Sequence, residues 1–486
     1  MTLIKSISGI RGTIGGVVGD NLTPVDIVRF SAAFAAFLKE KASTRLKDTL
    51  FENIDDGGDV PAERAVKVVV GRDARISGPV VSSMVCATLQ SAGVDVVDLG
   101  LSTTPTVELA VKAYNADGGV IITASHNPMQ WNALKLLNAD GEFVSADDAH
   151  RIIELAADDA VEFAAFDRLG SLTTCNTAIQ EHVDAILALP LVDRNAIAKS
   201  NFKVILDTVN STGALALPVL LKQLGVNDIT VLNGEMNGLF SHNPEPIPEN
   251  LAQICNEMAR SKYDVGFVVD PDVDRLSIVC ENGKLMGEEY TLVAVADYIL
   301  QNTPGNTVSN LSSTRALKDV AEKYGVSYKP SAVGEVNVVE MMKQTNAVIG
   351  GEGNGGVIYP ELHYGRDALV GIALFLTYMA KTRKSCSQIR ALYPDYHIIK
   401  KKTELRAETD VAAILDSIAD KYSSFEVNRA DGVRIDFEDS WVHVRSSNTE
   451  PIIRIYAEAL SEKIADNIAS KIMLDISELL LQQHHS

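Results

Sequence analysis

The chain has no CxxC pair, no apolar run long enough to span a membrane and no excess of basic charge. Its five cysteines, Cys86, Cys175, Cys255, Cys280 and Cys386, are an odd number scattered along 486 residues. They read as free thiols of a reducing compartment, which excludes a disulfide framework and a thiolate zinc site. The longest apolar stretches, such as VGFVVD and GGVIITAS, fall far short of the ~18 residues that a transmembrane helix needs. The opening MTLIKSISGIRG lacks the long apolar core and the small-residue cleavage site of a signal peptide. A cytoplasmic protein without a membrane partner is therefore the expectation. The formal charge of −20 argues against nucleic acid or an anionic membrane as partner, since both demand basic surface. A small anionic ligand is a different matter. It needs only a few of the 44 Lys and Arg side chains to converge locally.

What is present is an ordinary globular composition, 46% apolar and 22% charged, on a length that suits roughly three to four domains. Short β-branched runs recur: VKVVVG, VDVVDLG, GGVIITAS, FKVILDTVN, DITVLNG and DVGFVVD. Being apolar throughout, they fit strands buried on both faces, as in parallel sheets covered by helices. Helical periods lie between them. The clearest starts at Thr23-Pro24, a cap followed by proline at the first helical position, and runs through VDIVRFSAAFAAFLKEKA. This is an α/β pattern. Near the C-terminus, VRIDFEDSWVHVRSS alternates about a turn at Glu438-Asp439-Ser440, IIRIYAEA follows as a strand, and SEKIADNIASKIMLDISELL as a helix. That predicts a smaller α+β domain with an antiparallel sheet. Segment 44–65 is acidic and rich in turn formers and reads as a surface insertion, and QQHHS as a frayed tail.

Four loops carry chemistry. In TASHNP, Ser125 stands beside His126. No GxSxG elbow surrounds it and no triad order supports it, which weighs against a serine hydrolase. In VVDPDVDRLSIV, Asp270, Asp272 and Asp274 alternate at the end of an apolar strand, with Arg275 next. Carboxylates this close repel one another unless a cation sits among them, and hard oxygen donors favour magnesium or calcium over zinc. A solvated acidic turn is the common explanation of such clusters; its place at a strand end, where ligand crevices open, argues against that here. In VIGGEGNGGVIYPELHYGRDA, glycines permit close backbone approach, while Glu352 and Asn354 suit sugar hydroxyls. In HVRSSNTEPIIRI, Arg445, Ser447, Asn448 and Thr449 offer a guanidinium, hydroxyls and an amide suited to phosphate oxygens, although a polar hairpin end would look the same.

The set and its order, SGIRG, TASHNP, DPDVDR, GEGNGG and RSSNTEP, resemble the α-D-phosphohexomutase family over essentially the whole chain. The phosphoglucosamine mutase and phosphomannomutase/phosphoglucomutase branches are the most similar. The resemblance implies four domains about a central cleft, three α/β with mixed, largely parallel sheets and a smaller α+β domain. They are expected over residues 1–172, 173–283, 284–395 and 396–486. It implies that Ser125 carries a phosphoryl group and that Asp270, Asp272 and Asp274 bind one Mg²⁺, with a phosphate oxygen on Ser125 as a further ligand. Arg11, Lys135 and Arg275 would surround this centre, with Lys135 the first candidate for general acid/base and His126 the second. Glu352 and Asn354 would hold the sugar, and Arg445, Ser447, Asn448 and Thr449 its non-reacting phosphate. The implied reaction interconverts hexose 6-phosphate and hexose 1-phosphate through a hexose 1,6-bisphosphate, with glucosamine 6-phosphate the favoured substrate, in a monomer or homodimer. A metal-dependent sugar phosphatase and a non-catalytic phosphosugar-binding protein are the competing functions. Arg315 and His363 admit structural and functional readings equally, and Asp367 a helix cap. In the metal loop, Pro271 and Val273 stand where the family usually has glycine, and valine is not expected to take the positive φ that glycine tolerates.

Overall fold

In a strand, successive side chains face opposite ways, so a fully apolar run needs cover on both sides. The computed structural model, which describes residues 2–6, 9–53, 64–158, 161–406, 409–447 and 451–485, supplies that cover. The chain divides into two units, Met1–Glu288 with Gly356–Cys386, and Glu289–Gly355 with Ser387–Ser486.

The first unit holds a seven-stranded mixed sheet, in spatial order Ile4–Ser6, Gly9–Thr13, Trp131–Leu137, Gly118–Ile122, Lys67–Arg72, Asp95–Leu101 and Leu172–Thr174. The last four run parallel, and the first three add antiparallel pairings. Val68, Val70, Val120 and Ile122 join one core with Phe30, Phe34, Val81, Val85 and Ile152, which lie on three helices. Their neighbours Val69 and Ile121 join the opposite core with Val107, Val111 and Ala178. A second sheet orders Leu276–Cys280, Val265–Val269, Lys203–Asp207 and Asp228–Leu232, antiparallel in the first pair and parallel in the other two. Its central strand Val265–Val269 is wholly buried and aims the aspartate loop out of its end. DITVLNG departs from expectation: Asp228–Leu232 is the edge strand and is half exposed.

In the second unit, Tyr328–Ser331, Thr307–Asn310 and Ile349–Glu352 lie side by side in parallel. The C-terminal sheet is antiparallel and five-stranded: His397–Glu404, Ile452–Ala459, Trp441–Ser446, Val433–Asp436 and Glu426–Asn428. One face of it, carrying Val433, Val442, Val444, Ile453 and Ile455, packs on Ile414, Ile418, Ile472 and Ile476 of two helices. The other face is polar and buried, with Arg434, His443 and Glu458. The fold is thus the expected one, three α/β domains and a C-terminal α+β domain.

Two local readings need correction. The first helix runs from Pro24 to Asn53, so half of the segment read as an insertion is helical. Nothing between residues 44 and 53 breaks a helix; the glycines and proline lie beyond, at positions within 54–63, outside the described residues. At the other end the last helix continues to His485, through most of the tail expected to fray. All five cysteines are free, and among the described residues no helix is long and apolar enough to cross a membrane.

Trp441 shows how the polar face is held. Fully buried, its indole N–H donates to Glu458 Oε1 at 2.7 Å, and the Arg434 guanidinium lies 4.4 Å from its ring. Burial pushes the Glu458 carboxyl above its usual range, against the hydrogen bonds that favour its charge. Replacing Trp441 by Phe removes a donor to a buried carboxyl as well as packing. Equilibrium urea unfolding of Trp441→Phe should show a loss of about 2–3 kcal/mol.

Candidate active site

Ser125 follows the buried strand Gly118–Ile122 and sits in the left-handed region, φ +48°. Its own backbone N–H is tied to Thr123 Oγ1 at 2.9 Å, and the Thr123 hydroxyl donates to Asp73 at 2.7 Å. The conformation turns the serine hydroxyl onto the aspartate loop, where it donates to Asp270 Oδ2 at 2.7 Å. His126 Nδ1 is 3.3 Å from the same hydroxyl. Burial, then Arg275, pushes this imidazole well below its ordinary pKa, so it is neutral at pH 7.

Asp270, Asp272 and Asp274 are all fully buried, and one oxygen from each lies within 4.8 Å of the others. Asp272 accepts from Thr104 Oγ1 at 2.7 Å and Lys135 Nζ at 2.8 Å; Asp274 accepts from Arg366 at 2.6 Å. Even so, Asp272 Oδ1 and Asp274 Oδ1 remain buried without a hydrogen-bond partner. Burial, reinforced by Asp274 and Asp272, raises the Asp270 carboxyl well above the usual carboxylate range. Orphaned oxygens and a carboxyl forced toward its neutral form are what an oxygen-ligated divalent cation would relieve. The donor set fits such an ion.

Val273 adopts φ +65° while fully buried, contrary to the expectation that valine would refuse that conformation. A β-branched residue there costs on the order of 1–3 kcal/mol. The turn is held by Val273 N–H on the Asp270 carbonyl and Ala368 N–H on the Val273 carbonyl, each at 3.2 Å. Pro271 lacks an N–H, but its carbonyl accepts the hydroxyls of Ser211 at 2.6 Å and Thr212 at 2.8 Å.

Lys135 is buried on the strand Trp131–Leu137, 2.8 Å from Asp272 and 3.6 Å from Asp274. Burial opposes its charge, but Asp272 and Asp274 outweigh that and hold it above the normal lysine range, as an ammonium. Arg11 pairs with Ala133 on the adjacent strand, so it shares a sheet face with Lys135 two residues on. Arg275 N–H bonds Asp270 Oδ1 at 3.2 Å, and its guanidinium reaches Glu245 at 3.4 Å. Ser125, His126, Lys135, Arg275 and the three aspartates thus meet at one place.

Sequence reasoning missed Asp73, Arg75, Thr104, Glu108, His182 and Arg366. Asp367 is indeed a cap, accepting from Leu369 N–H at 2.7 Å, but its other oxygen lies 2.9 Å from His182 Nε2 and 3.4 Å from His363 Nε2. His363 Nδ1 faces Glu108 at 3.3 Å, and Thr106 Oγ1 is 2.9 Å from His182 Nδ1. The only signal for this buried group was the pairing of His363 and Asp367 four residues apart.

In the second unit, Glu352 accepts from Asn310 Nδ2 at 2.8 Å, Gly334 N–H at 3.2 Å and Asn354 Nδ2 at 3.4 Å. A Cβ on Gly353 would fall 2.0 Å from the Glu289 carboxylate, so a larger residue there would displace that side chain. Arg445 is 3.7 Å from Asp431, and Arg454 donates to Ser447 Oγ at 3.3 Å. Asn448 and Thr449 lie outside the described residues. Arg315 has its backbone N–H on Glu458 and its guanidinium on the Glu438 carbonyl, each at 2.9 Å.

The four domain models of phosphoglucomutase/phosphomannomutase match in order: domain I over residues 57–162, II over 180–283, III over 287–396 and the C-terminal domain over 400–474. The chain belongs to the phosphoglucomutase/phosphomannomutase family of mutases. It is 34% identical to a phosphoglucomutase/phosphomannomutase of Thermococcus kodakarensis, covering 93% of this chain and 95% of that one. It is 32% identical to a phosphoglucosamine/phosphogalactosamine mutase of Sulfurisphaera tokodaii, covering 95% and 97%. A crystal structure of a phosphoglucomutase/phosphomannomutase family protein from Burkholderia thailandensis, 24% identical, shares the fold with a TM-score of 0.79 over 98% of both chains.

The buried histidine group sets a pH dependence. Burial disfavours the His363 cation, but Asp367 and Glu108 more than compensate and raise its pKa to about 9. A histidine with a raised folded pKa stabilises the fold fully below its unfolded value, ~6.5, and loses that contribution as pH rises through the folded one. The unfolding free energy from urea titrations should therefore fall between pH 6.5 and 9, by on the order of 1–3 kcal/mol, and His363→Gln should flatten that slope.

Proposed function

We propose that this chain interconverts a hexose 6-phosphate and a hexose 1-phosphate, with Ser125 as the phosphoryl carrier. The observation that carries the reading is the contact of Ser125 Oγ with Asp270, 2.7 Å, inside a buried trio of aspartates with orphaned oxygens. Asp270, Asp272 and Asp274 would hold one Mg²⁺, which when bound neutralises charge on the transferring phosphoryl group.

The chain's own residues do the rest. When phosphoserine meets hexose 6-phosphate, the Oγ–P bond breaks, a bond from phosphorus to sugar O1 forms, and the O1 hydroxyl loses its proton. His126, held neutral 3.3 Å from Ser125 Oγ, is suited to take that proton and pass it to the departing Oγ, which ends as the serine hydroxyl. Lys135, held as an ammonium, is better suited to balancing phosphoryl charge, together with Arg11 and Arg275, than to accepting a proton. The resulting hexose 1,6-bisphosphate is intermediate and activator; turned around, it returns its 6-phosphoryl group to Ser125. Burial of Ser125 keeps water from that phosphate, which favours a mutase over a phosphatase.

Glucosamine 6-phosphate is the proposed substrate, its 2-ammonium facing the Glu352 carboxylate and Asn354. Arg445, Ser447, Asn448 and Thr449 would hold the phosphate that does not react. A second reading, glucose or mannose phosphates, draws support from the name of the Thermococcus relative. The enzyme would act in the cytoplasm, as a monomer or homodimer.

Phosphopeptide mapping of the purified protein should find a phosphate on Ser125, and Ser125→Ala should lower turnover more than ~10³-fold while sugar phosphate still binds. Near-normal turnover of that variant would overturn the phosphoserine reading. Of glucosamine, mannose and glucose 6-phosphates, each with its 1,6-bisphosphate, the first should give the highest kcat/KM. A preference for mannose phosphate would overturn the sugar assignment alone.

A further inference from the structure

Arg75 is fully buried, yet its guanidinium faces neither ligand nor solvent. It gathers main-chain carbonyls from one loop. It donates to Ser125 O at 2.5 Å, Asn127 O and Pro128 O at 2.7 Å, and Trp131 O at 3.0 Å. Its Nε is paired with Asp73 at 3.0 Å, and the Phe240 ring lies 5.0 Å from the guanidinium. Asp73 also accepts the Thr123 hydroxyl, which in turn receives the Ser125 N–H. The carbonyl of Ser125 is thus held directly by Arg75, and its N–H through Thr123 by Asp73. The intervening residue reaches the other way. Ala74 N–H donates to Ser211 Oγ at 3.3 Å, and Ser211 donates to the Pro271 carbonyl, between Asp270 and Asp272. Gly238 closes on the same segment so tightly that a Cβ there would fall 2.2 Å from the Ala74 carbonyl.

We infer that Asp73-Ala74-Arg75 is a clamp that registers the serine loop against the aspartate loop, with Arg75 as its positioning residue. A buried guanidinium is an expensive way to satisfy four carbonyls that water could satisfy at a surface. What it provides is geometry. Four loop carbonyls converging on one planar, rigid cation leave Ser125 a single orientation, the left-handed one that meets Asp270. Lysine offers the charge without the fork. The inference rests on Ser125 as phosphoryl carrier for its consequence in catalysis, but not for the clamp itself.

The test compares full-length Arg75→Lys and Arg75→Ala with the parent protein by two readouts. Amide hydrogen exchange of residues 123–131 should accelerate at least ~10-fold, because the loop loses the partner that closes it. With glucosamine 6-phosphate and its 1,6-bisphosphate, kcat should fall ~10²-fold and KM change less than ~3-fold, since misplacement of a reacting atom penalises chemistry more than binding. Millimolar guanidinium should restore part of kcat in Arg75→Ala and none in Arg75→Lys. Unchanged exchange, or kcat within twofold of the parent, would overturn the inference. If exchange responds while the parent proves to carry no phosphate on Ser125, the clamp stands and the functional reading fails. Should the Arg75 variants not fold, Ser211→Ala tests the other arm. The Mg²⁺ concentration for half-maximal thermal shift should rise several-fold, and an unchanged value would overturn the clamp.

Discussion

Three carboxylates sealed from water within 4.8 Å of one another repel strongly, because the protein interior screens them far less than solvent would. Much of the first unit is arranged around that repulsion. Thr104 at a helix start, Lys135 on a strand of the large sheet and Arg366 each bring a donor to Asp272 or Asp274. These come from separate elements of the chain, so the aspartate loop can form only when the sheets and helices of the unit have docked. Ser125 belongs to the same economy: its hydroxyl is one more donor to the trio, and phosphorylation would convert it from a donor into a ligand.

The same crowding assigns work to neighbouring groups. An ammonium held between two carboxylates is a poor proton acceptor, whereas an imidazole kept neutral by burial and by nearby cations is a competent one. The charges that balance the aspartates thus hold Lys135 as an ammonium and leave His126 neutral, the reverse of the order in which the sequence ranked them as proton acceptors. The buried ring of Glu108, His363, Asp367 and His182 extends the pattern outward. It joins the helix that begins at Thr104 to the helix capped by Asp367.

Much of this was legible in the sequence where the chemistry is local. TASHNP and DPDVDR put a hydroxyl and three carboxylates within a few residues at strand ends, and buried strands announced themselves as unbroken apolar runs. The residues missed are those whose partners are remote. Arg75 lies some 50 positions from the carbonyls it binds, and Thr104 binds an aspartate 168 residues away; no spacing rule reveals such pairs. Val273 was misjudged for a related reason. Local propensity disfavours its turn, and the hydrogen bond from Ala368, remote in the sequence, joins the local bond to Asp270 in holding it. The end of the first helix is not marked in the sequence before residue 53, because the turn formers begin only beyond it.

The three aspartates offer a donor set that fits one divalent cation. Isothermal titration of chelator-treated protein with Mg²⁺ tests it most directly. One ion should bind per chain, with uptake of the released proton by the buffer as the Asp270 carboxyl ionises, and Asp272→Asn should remove the signal. Absence of binding in the parent protein, or binding that survives Asp272→Asn unchanged, would contradict the account.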